Sequence, residues 1–422
     1  MNGATEETMS TEVVSRRKLL GMGSAAVAAA ALAALPAQAQ QRDDTAKAEK
    51  DHSSSDPGPE NKVLLGQNPD VNTPPPTDHG DFGAIWYSFD LARKRVQEGG
   101  WTHQVTQREL PLSNDLAGVN MRLTPGSFRE LHWHTANEWA YMEAGKARVT
   151  VLNPDGTMFV DDIEEGDLWF FPAGYPHSIQ GLGEHGCQFL LVFDEGNFSE
   201  DGTFLLSEFV AHTPPEILEK NSNLSAADIA KLPKDPLYIF PAPLPKTLAE
   251  DRAAIGSNLA TQQYTFKMKA MEPTKKTTGG EVRVVDSHNF PVSTTVAAGL
   301  VRLKPGAIRE LHWHPNASEW QFWLEGKGRM TVVMPDGRAK TVDFNKNDVG
   351  FVPAVAGHYI ENTGDTDVVF LEMFKSHTFQ DVSLNNWIRR MPVEMATAHL
   401  NLDAETLKKI PSEKAEIIGA KS

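Results

Sequence analysis

Short segments of alternating hydrophobic and polar residues follow one another along most of the chain, and turn residues separate them. The clearest series lies between residues 146 and 194, where Asn-Pro-Asp-Gly and Glu-Gly turns interrupt the alternation. This pattern predicts strands at 146–152, 157–163, 167–171 and 188–194. A succession of short strands joined by tight turns is typical of a small antiparallel β-barrel or jelly roll. The sequence therefore predicts an all-β fold.

Helical periodicity replaces the strand pattern in two regions. Residues 225–232 predict a helix with Ser225 as its N-cap and Asp228 at the third helical position. From residue 383 onward the sequence predicts helices at 384–391 and 404–410. We therefore expect accessory helices between the β-domains and after them.

The chain carries one arrangement of metal-ligand residue types twice. His132 and His312 lie 180 positions apart, and the later histidines, His177 and His358, lie 181 positions apart. Each copy contains three histidines and one glutamate in the same order: His132, His134, Glu138 and His177, then His312, His314, Glu319 and His358. A repeat that keeps eight such residues in step indicates a duplicated domain with a duplicated site.

Each copy has the composition of a divalent metal site. Alternate residues of a strand share a face, so His-X-His places two imidazoles side by side. Three neutral imidazoles and one carboxylate give an ion four protein ligands. An octahedral ion would keep two positions open for water, substrate or dioxygen. A tetrahedral zinc ion would be closed by the same four ligands, and the residues alone leave both possibilities open.

Both halves contain the pattern G-x5-H-x-H-x3/4-E-x6-G followed by P-x4-H, which resembles the cupin signature. Further segments, such as RELHWH, GDLWFFPAGYPHSIQ and DVSLNNW, are similar to the bicupin oxalate decarboxylases. The similarity runs from about Pro74 to about Leu402. It implies two cupin domains, which we expect at 82–235 and, with a helical tail, at 236–422. A linker and N-terminal arm would occupy 40–81.

The resemblance implies a reaction and its cofactors. Members of this family are understood to split oxalate into formate and carbon dioxide with manganese, and with dioxygen as a co-catalyst that is not consumed. We therefore expect two Mn²⁺ ions per chain and oxalate as the substrate. Arg129 and Arg309 each lie three residues before a ligand histidine, and a guanidinium matches a carboxylate in bidentate fashion. The family's proton-handling glutamate lies on a lid, and Glu200 occupies the matching position here.

Alignment of the two halves predicts that the sites are unequal. Glu372 corresponds to Leu191 of the first half, and Glu200 corresponds to Asp381 of the second half. A movable acid favours the first site as the catalytic one. Glu372 is either an acid of the second site or a partner for Arg309.

The lid leaves alternatives to decarboxylation. It has Asp201-Gly202 where the usual decarboxylase pattern has Asn-Ser, which adds a negative charge and a flexible glycine. A lid that fails to supply the proton would make the protein an oxalate oxidase that releases hydrogen peroxide. A non-catalytic metal-binding bicupin is the third possibility, although storage members generally lose metal ligands and this chain keeps all eight.

The net charge of −16 limits the partners. It argues against nucleic acids and anionic membranes, and it makes local arginines necessary for a dianionic substrate. Because helices appended to cupin barrels commonly pack on neighbouring subunits, we expect a homo-oligomer. The one cysteine, Cys187, excludes an intrachain disulfide.

The N-terminus predicts export. Arg16 and Arg17 precede an apolar segment at 22–35, and Ala37-Gln38-Ala39 resembles a cleavage site. The twin arginines resemble a Tat signal, so residues 1–39 are predicted to be removed and the protein to be periplasmic or extracellular. A membrane anchor is the competing interpretation, but the apolar segment is shorter than the ~20 residues that span a bilayer. We expect no membrane association after cleavage.

Overall fold

The computed structural model describes residues 61–68 and 80–421. The predicted signal peptide and most of the predicted linker lie outside the described residues. Within the described part, no helix has the length and apolar character needed to cross a membrane.

The chain forms two β-barrels, one from each half. The strands of the first half are β1 (Trp86–Ser88), β2 (Lys94–Gln97), β3 (Gly100–Val105), β4 (Ala117–Leu123), β5 (Phe128–Trp133), β6 (Glu138–Leu152), β7 (Met158–Glu164), β8 (Leu168–Phe171), β9 (His177–Phe193), β10 (Phe204–Leu205) and β11 (Ile239–Phe240). The strands of the second half are β12 (Thr265–Phe266), β13 (Lys275–Thr277), β14 (Gly280–Val285), β15 (Ala297–Leu303), β16 (Ile308–Trp313), β17 (Glu319–Glu325), β18 (Gly328–Val333), β19 (Ala339–Phe344), β20 (Asp348–Val352), β21 (Gly357–Asn362), β22 (Val368–Phe374), β23 (Val382–Ser383) and β24 (Ile417–Ile418).

Short helices accompany the barrels. They span Lys62–Gln67, Leu206–Ala211, Pro215–Ser222, Ala226–Ile229, Leu248–Ile255, Leu384–Arg390, Val393–Leu400 and Ala404–Leu407. The predicted cap is confirmed, because Ser225 Oγ accepts a hydrogen bond from the Asp228 backbone amide at 3.2 Å. That helix is shorter than predicted, since the chain continues in i to i+3 hydrogen bonds before Pro233. The four predicted strands are confirmed within β6, β7, β8 and β9.

Antiparallel pairing organises both barrels. In the first, β6 and β9 pair from Glu138 opposite Phe193 to Val151 opposite His177, so they belong to both walls of the barrel. The hydrogen-bonded order is β12-β8-β6-β9-β4-β3-β2, with β5 on β9 and β7 on β6. In the second barrel the corresponding long strands are interrupted, and the sheets run β1-β20-β17-β22-β15-β14-β13 and β19-β18-β21-β16-β23. The predicted all-β fold of two barrels is confirmed.

The two barrels exchange their first strands. β1 of the first half pairs with β20 of the second, with Trp86 opposite Gly350. β12 of the second half pairs with β8 of the first, with Thr265 opposite Trp169. Ile85 accordingly lies in the hydrophobic core of the second barrel. The domain boundaries drawn from sequence stay predictions, since each barrel contains residues from both halves.

A continuous apolar layer joins the barrels. Trp139 and Leu190 of the first half and Trp320 and Leu371 of the second are fully buried members of one cluster. Gly118 makes room for Trp320, because a Cβ atom at this glycine would lie 2.5 Å from the indole ring. The barrels are therefore held together by packing as well as by strand exchange.

Candidate active site and metal centres

The four predicted ligands of the first site come together inside the first barrel. His132 lies near the end of β5 and His134 directly follows that strand, while Glu138 begins β6 and His177 begins β9. Because β5 and β9 are paired, His132 lies directly opposite His177. One ligand atom from each of the four residues lies within 4.8 Å of the others, and all four side chains are buried. The sequence prediction of this cluster is confirmed.

Backbone carbonyls orient the imidazoles of the first site. Each Nδ1 atom lies near one carbonyl oxygen: His132 near Glu130 (2.5 Å), His134 near Ala136 (2.7 Å) and His177 near Tyr175 (2.8 Å). A carbonyl oxygen only accepts, so each Nδ1 donates and each Nε2 carries a lone pair. The Nε2 atom of His177 is buried and has no hydrogen-bond partner among the described residues. Such an orphaned acceptor is what a metal ligand requires.

The carboxylate of Glu138 is also arranged for a cation. Its Oε1 atom accepts a hydrogen bond from Trp169 Nε1 at 3.0 Å, and its Oε2 atom lies 3.3 Å from His134 Nε2. Burial alone would raise the pKa of Glu138, but the contacts with His134 and His177 lower it to about 2. Burial, reinforced by the Arg129 charge, holds the pKa of His132 well below its usual value. An ionised carboxylate with neutral imidazoles fits a divalent metal ion.

The second site repeats this cluster with a different support. Its ligand atoms, from His312, His314, Glu319 and His358, also lie within 4.8 Å of one another. Glu319 Oε1 accepts a hydrogen bond from Gln321 Nε2 at 2.6 Å, and Gln321 Oε1 accepts one from Trp323 Nε1 at 3.2 Å. Gly350, the counterpart of Trp169, leaves room for Gln321, because a Cβ atom there would lie 2.5 Å from Gln321 Oε1. Both centres therefore fix the glutamate by a donor from inside the barrel.

Arg129 lies beside the first centre and is buried there. It is 3% exposed, its Nη1 atom donates to the Tyr238 carbonyl at 3.4 Å, and its guanidinium lies 4.1 Å from the centre of the Tyr238 ring. Among the described residues, no carboxylate forms an ion pair with it. A buried guanidinium in this condition is suited to bind a carboxylate ligand.

Glu200 lies in the same region, in a 3₁₀ turn spanning Glu200–Gly202. Its Oε1 atom accepts hydrogen bonds from Thr102 Oγ1 at 2.8 Å and from the Tyr238 hydroxyl. Burial raises the pKa of Glu200, although Tyr238 and Arg129 oppose this shift. The carboxyl group therefore keeps its proton to a higher pH than an exposed glutamate does.

Tyr238 and Thr102 were missed by the sequence analysis. Tyr238 precedes β11 and has a positive φ of 53°, a conformation that a tyrosine rarely adopts. Its backbone amide donates to Glu130 Oε2 at 2.7 Å, which holds this conformation in place. Tyr238 lies 109 positions from Arg129 in sequence, so no local pattern indicates their contact.

In the second centre the corresponding arginine has carboxylate partners. Arg309 is fully buried, and its Nη2 atom lies 2.7 Å from Asp381 Oδ2 while its Nε atom lies 3.7 Å from Glu372 Oε2. Asp381 also forms an ion pair with Lys414. The alignment of Glu200 with Asp381 therefore places a protonatable acid in one half and an arginine partner in the other.

Glu372 is buried beside Arg309, and neither of its carboxylate oxygens has a hydrogen-bond partner among the described residues. Gly299 lies opposite it on the neighbouring strand and provides the space for its side chain. Burial raises the pKa of Glu372 to about 7, against the effect of the Arg309 charge. The distance to Arg309 fits an ion-pair partner and the raised pKa fits an acid, so both predicted roles stay open.

Comparisons with known proteins agree with this geometry. A profile of the cupin family matches residues 88–230 and again 266–408. Oxalate decarboxylase OxdC of Bacillus subtilis is 47% identical over 355 residues, which cover 84% of this chain and 92% of that protein. A probable oxalate decarboxylase of Arthroderma benhamiae is 38% identical and covers 86% of this chain and 90% of its own length.

Solved structures of the Bacillus subtilis enzyme have the same fold. Its structure at pH 4.6 superposes with a TM-score of 0.82 at 47% identity, over 86% of this chain and 94% of that chain. Another, from work on the Mn(II) centres of that enzyme, gives a TM-score of 0.83 over 86% and 96% of the two chains. With two cupin barrels, two sets of three histidines and one glutamate, and this degree of identity, the chain belongs to the bicupin oxalate decarboxylases.

Proposed function

We propose that this protein converts oxalate to formate and carbon dioxide at its first centre, with Mn²⁺ held in both centres and dioxygen as co-catalyst. The proposal rests mainly on the presence of Arg129 and Glu200 in the same region, where both contact Tyr238. Arg129 is a buried cation without a carboxylate partner among the described residues, and Glu200 is a half-buried acid that contacts the same tyrosine. A metal ion held by the three histidines and the glutamate would supply the redox chemistry of the reaction.

The residues divide the work as follows. Arg129 binds one carboxylate of the oxalate monoanion through its guanidinium and holds it beside the metal ligands. Glu200 accepts the proton of the monoanion and returns it to the carbon that becomes formate, as the carbon–carbon bond breaks and carbon dioxide leaves. Tyr238 and Thr102 hold the carboxyl group in position through their hydroxyl groups. Each oxalate monoanion therefore gives one formate and one carbon dioxide, and its proton ends on the carbon of formate.

The second centre is proposed to bind metal without turning over oxalate. Its arginine is already neutralised by Asp381 at 2.7 Å, and Lys414 contacts the same carboxylate. Oxalate would have to displace this buried carboxylate from Arg309, at a large cost in free energy.

The deciding measurement is product analysis with the manganese-loaded protein in air at mildly acidic pH. Equal amounts of formate and carbon dioxide support the decarboxylase. Peroxide with two carbon dioxides per oxalate would instead mean that the lid with Asp201-Gly202 makes the protein an oxidase. No product of either kind would return the protein to the non-catalytic bicupins.

We also propose that the protein is a homo-oligomer. Each half has an exposed apolar surface on the equivalent strand, with Leu131 on β5 and Leu311 on β16. Beside them, Trp133 contacts Phe209 and Trp313 contacts Trp387. Two similar surfaces at different places on one chain suit head-to-tail contacts that close into a ring. Light scattering of the wild type and of Phe209→Asp tests this. We expect an oligomeric wild type and a smaller assembly for the variant, and a monomeric wild type would contradict the proposal.

Export by the Tat route is proposed from the twin arginines of the N-terminus. The predicted product begins at Gln40, after Ala39. N-terminal sequencing of protein recovered from the producing cells tests both the route and the cleavage site. An intact N-terminus in the cytoplasmic fraction would contradict the proposal.

A further inference from the structure

A cationic cavity lies outside the first centre, on the other side of the lid turn. Its volume is about 520 Å³, and both Glu200 and Asp201 contribute to its wall. Three consecutive cations, Arg93, Lys94 and Arg95, line it from β2 and the residue before it, and Arg108 lines it from a neighbouring loop. We call this cavity the vestibule.

Arg95 connects the vestibule with the first centre. Its guanidinium lies 3.8 Å from the centre of the Tyr238 ring, the same ring on which the Arg129 guanidinium lies at 4.1 Å. The Arg95 side chain is 39% exposed, whereas Arg129 is 3% exposed. Two guanidinium groups thus share one aromatic ring, one at the solvent side and one beside the metal ligands.

The outer guanidinium, that of Arg95, forms an ion pair with the lid residue Asp201. Arg95 Nη1 lies 3.2 Å from Asp201 Oδ1, and the Asp201 side chain is 88% exposed. An ion pair this exposed is weak, so a substrate carboxylate can replace Asp201 on Arg95 at little cost in free energy. Asp201 directly follows Glu200, so the contact of Arg95 with Asp201 also sets the position of the catalytic acid.

The other charges of the vestibule favour an anion. Among the described residues, Arg93, Lys94 and Arg108 form no ion pair. The acidic side chain of Glu109 accepts hydrogen bonds from the backbone and side chain of Thr106, both at 2.9 Å. In a chain with a net charge of −16, a local excess of cations at the mouth of a site concentrates small anions there.

We propose that the vestibule is a second, outer binding site for small carboxylate anions, in which Arg95 exchanges Asp201 for oxalate. With the lid closed, Arg95 holds Asp201. With the lid displaced, Arg95, assisted by Arg93 and Arg108, holds one carboxylate of the incoming substrate before Arg129 receives it. The inference rests on oxalate as the substrate and goes beyond the inner site by naming Arg95 as a positioning residue.

A double-mutant cycle tests the exchange. In Asp201→Asn the competitor is removed, so the KM for oxalate falls. In Arg95→Gln, kcat/KM falls by roughly fivefold through a higher KM, the size expected for one exposed ion pair. The deciding variant is Arg95→Gln in the Asp201→Asn background. A substrate-binding role requires the same loss of kcat/KM there, whereas an arginine that only secures the lid gives none, which would overturn the proposal.

The salt dependence of kcat/KM gives a second readout. Added salt screens the attraction between oxalate and the vestibule, so kcat/KM of the wild type falls with ionic strength and that of Arg93→Gln or Arg108→Gln falls less steeply. Arg302→Gln is the matched control, because Arg302 does not line the vestibule and forms an ion pair of similar geometry with Asp367 (3.3 Å, with side chains 45% and 38% exposed). Equal salt slopes in wild type and vestibule variants would refute the outer site. Wild type that forms no product would refute the proposed function instead.

Discussion

At the scale of single residues, the proposed reaction depends on Glu200. We expect Glu200→Gln to lower formate production by about 10² or more, because an amide cannot accept and return the proton. Peroxide production is expected to rise relative to formate. Formate and peroxide measured on the same sample check this.

Glu216→Gln is a suitable control for that experiment, because Glu216 is exposed on a neighbouring helix. Metal content has to be equal in all three proteins, since loss of manganese would also lower the rate. Formate production by Glu200→Gln at the wild-type rate would assign the proton transfer to another group.

Tyr238 influences the pKa of Glu200. Its hydroxyl donates to Glu200 and thereby lowers the pKa of Glu200, against the effect of burial. In Tyr238→Phe this donor is lost, so the pKa of Glu200 rises further. We expect the inflection that Glu200 causes in the pH profile of kcat to move to higher pH, with kcat reduced about tenfold. An unchanged profile would show that the hydroxyl does not influence the acid.

At the scale of elements, the strand ends that meet in each barrel determine where the metals bind. The duplicated cluster predicts that His134→Ala and His314→Ala each lower the metal content from two ions to one per chain. Only His134→Ala is expected to abolish formate production, because the arginine of the second centre is already paired. Elemental analysis and product assays on the two variants check this. Loss of activity in His314→Ala, with the first centre still loaded, would give the second centre a catalytic role.

Features that depend on neighbouring residues could be predicted from the sequence, whereas contacts between distant elements could not. Strand alternation and the His-X-His spacing depend only on neighbouring residues. The four strands deduced from them are confirmed, and the residues predicted as ligands lie together in both barrels. The partners of the arginines depend on tertiary packing. Asp381 reaches Arg309 from 72 positions away, and no local pattern distinguishes this contact from the place of Glu200 in the first half. The exchange of β1 and β12 was equally invisible, because an edge strand does not encode which sheet edge it will join.

At the scale of the whole molecule, the meeting of the barrels makes stability depend on pH. Glu143 lies in a cavity lined by both halves, and it accepts hydrogen bonds from Asn120 and Gln188. Burial raises the pKa of Glu143 to about 7. A folded-state pKa above the ordinary value means that the folded protein binds the proton more tightly. This contribution to stability is therefore present at acidic pH and is lost as the pH rises through about 7.

We expect Glu143→Gln to raise the free energy of unfolding at pH 8 by about 1 to 2 kcal/mol, after allowance for partial exposure of the side chain. The corresponding rise in Tm is about 2 to 4 °C. At pH 5 the two proteins should differ little, because Glu143 is then protonated and neutral. Thermal unfolding at both pH values checks this, with the exposed Glu184→Gln as control. An equal effect at both pH values would mean that ionisation of Glu143 is not the cause.

The exchange of first strands has a consequence for how the protein is made. The edge of the first barrel at β8 stays unpaired until β12 leaves the ribosome, and β1 waits still longer for β20. Contacts so distant in sequence form late, so neither barrel is finished before the other has begun. A nascent chain stopped between the halves would therefore expose an open sheet edge. Both barrels, and with them both metal centres, are therefore completed only after the whole chain has been synthesised.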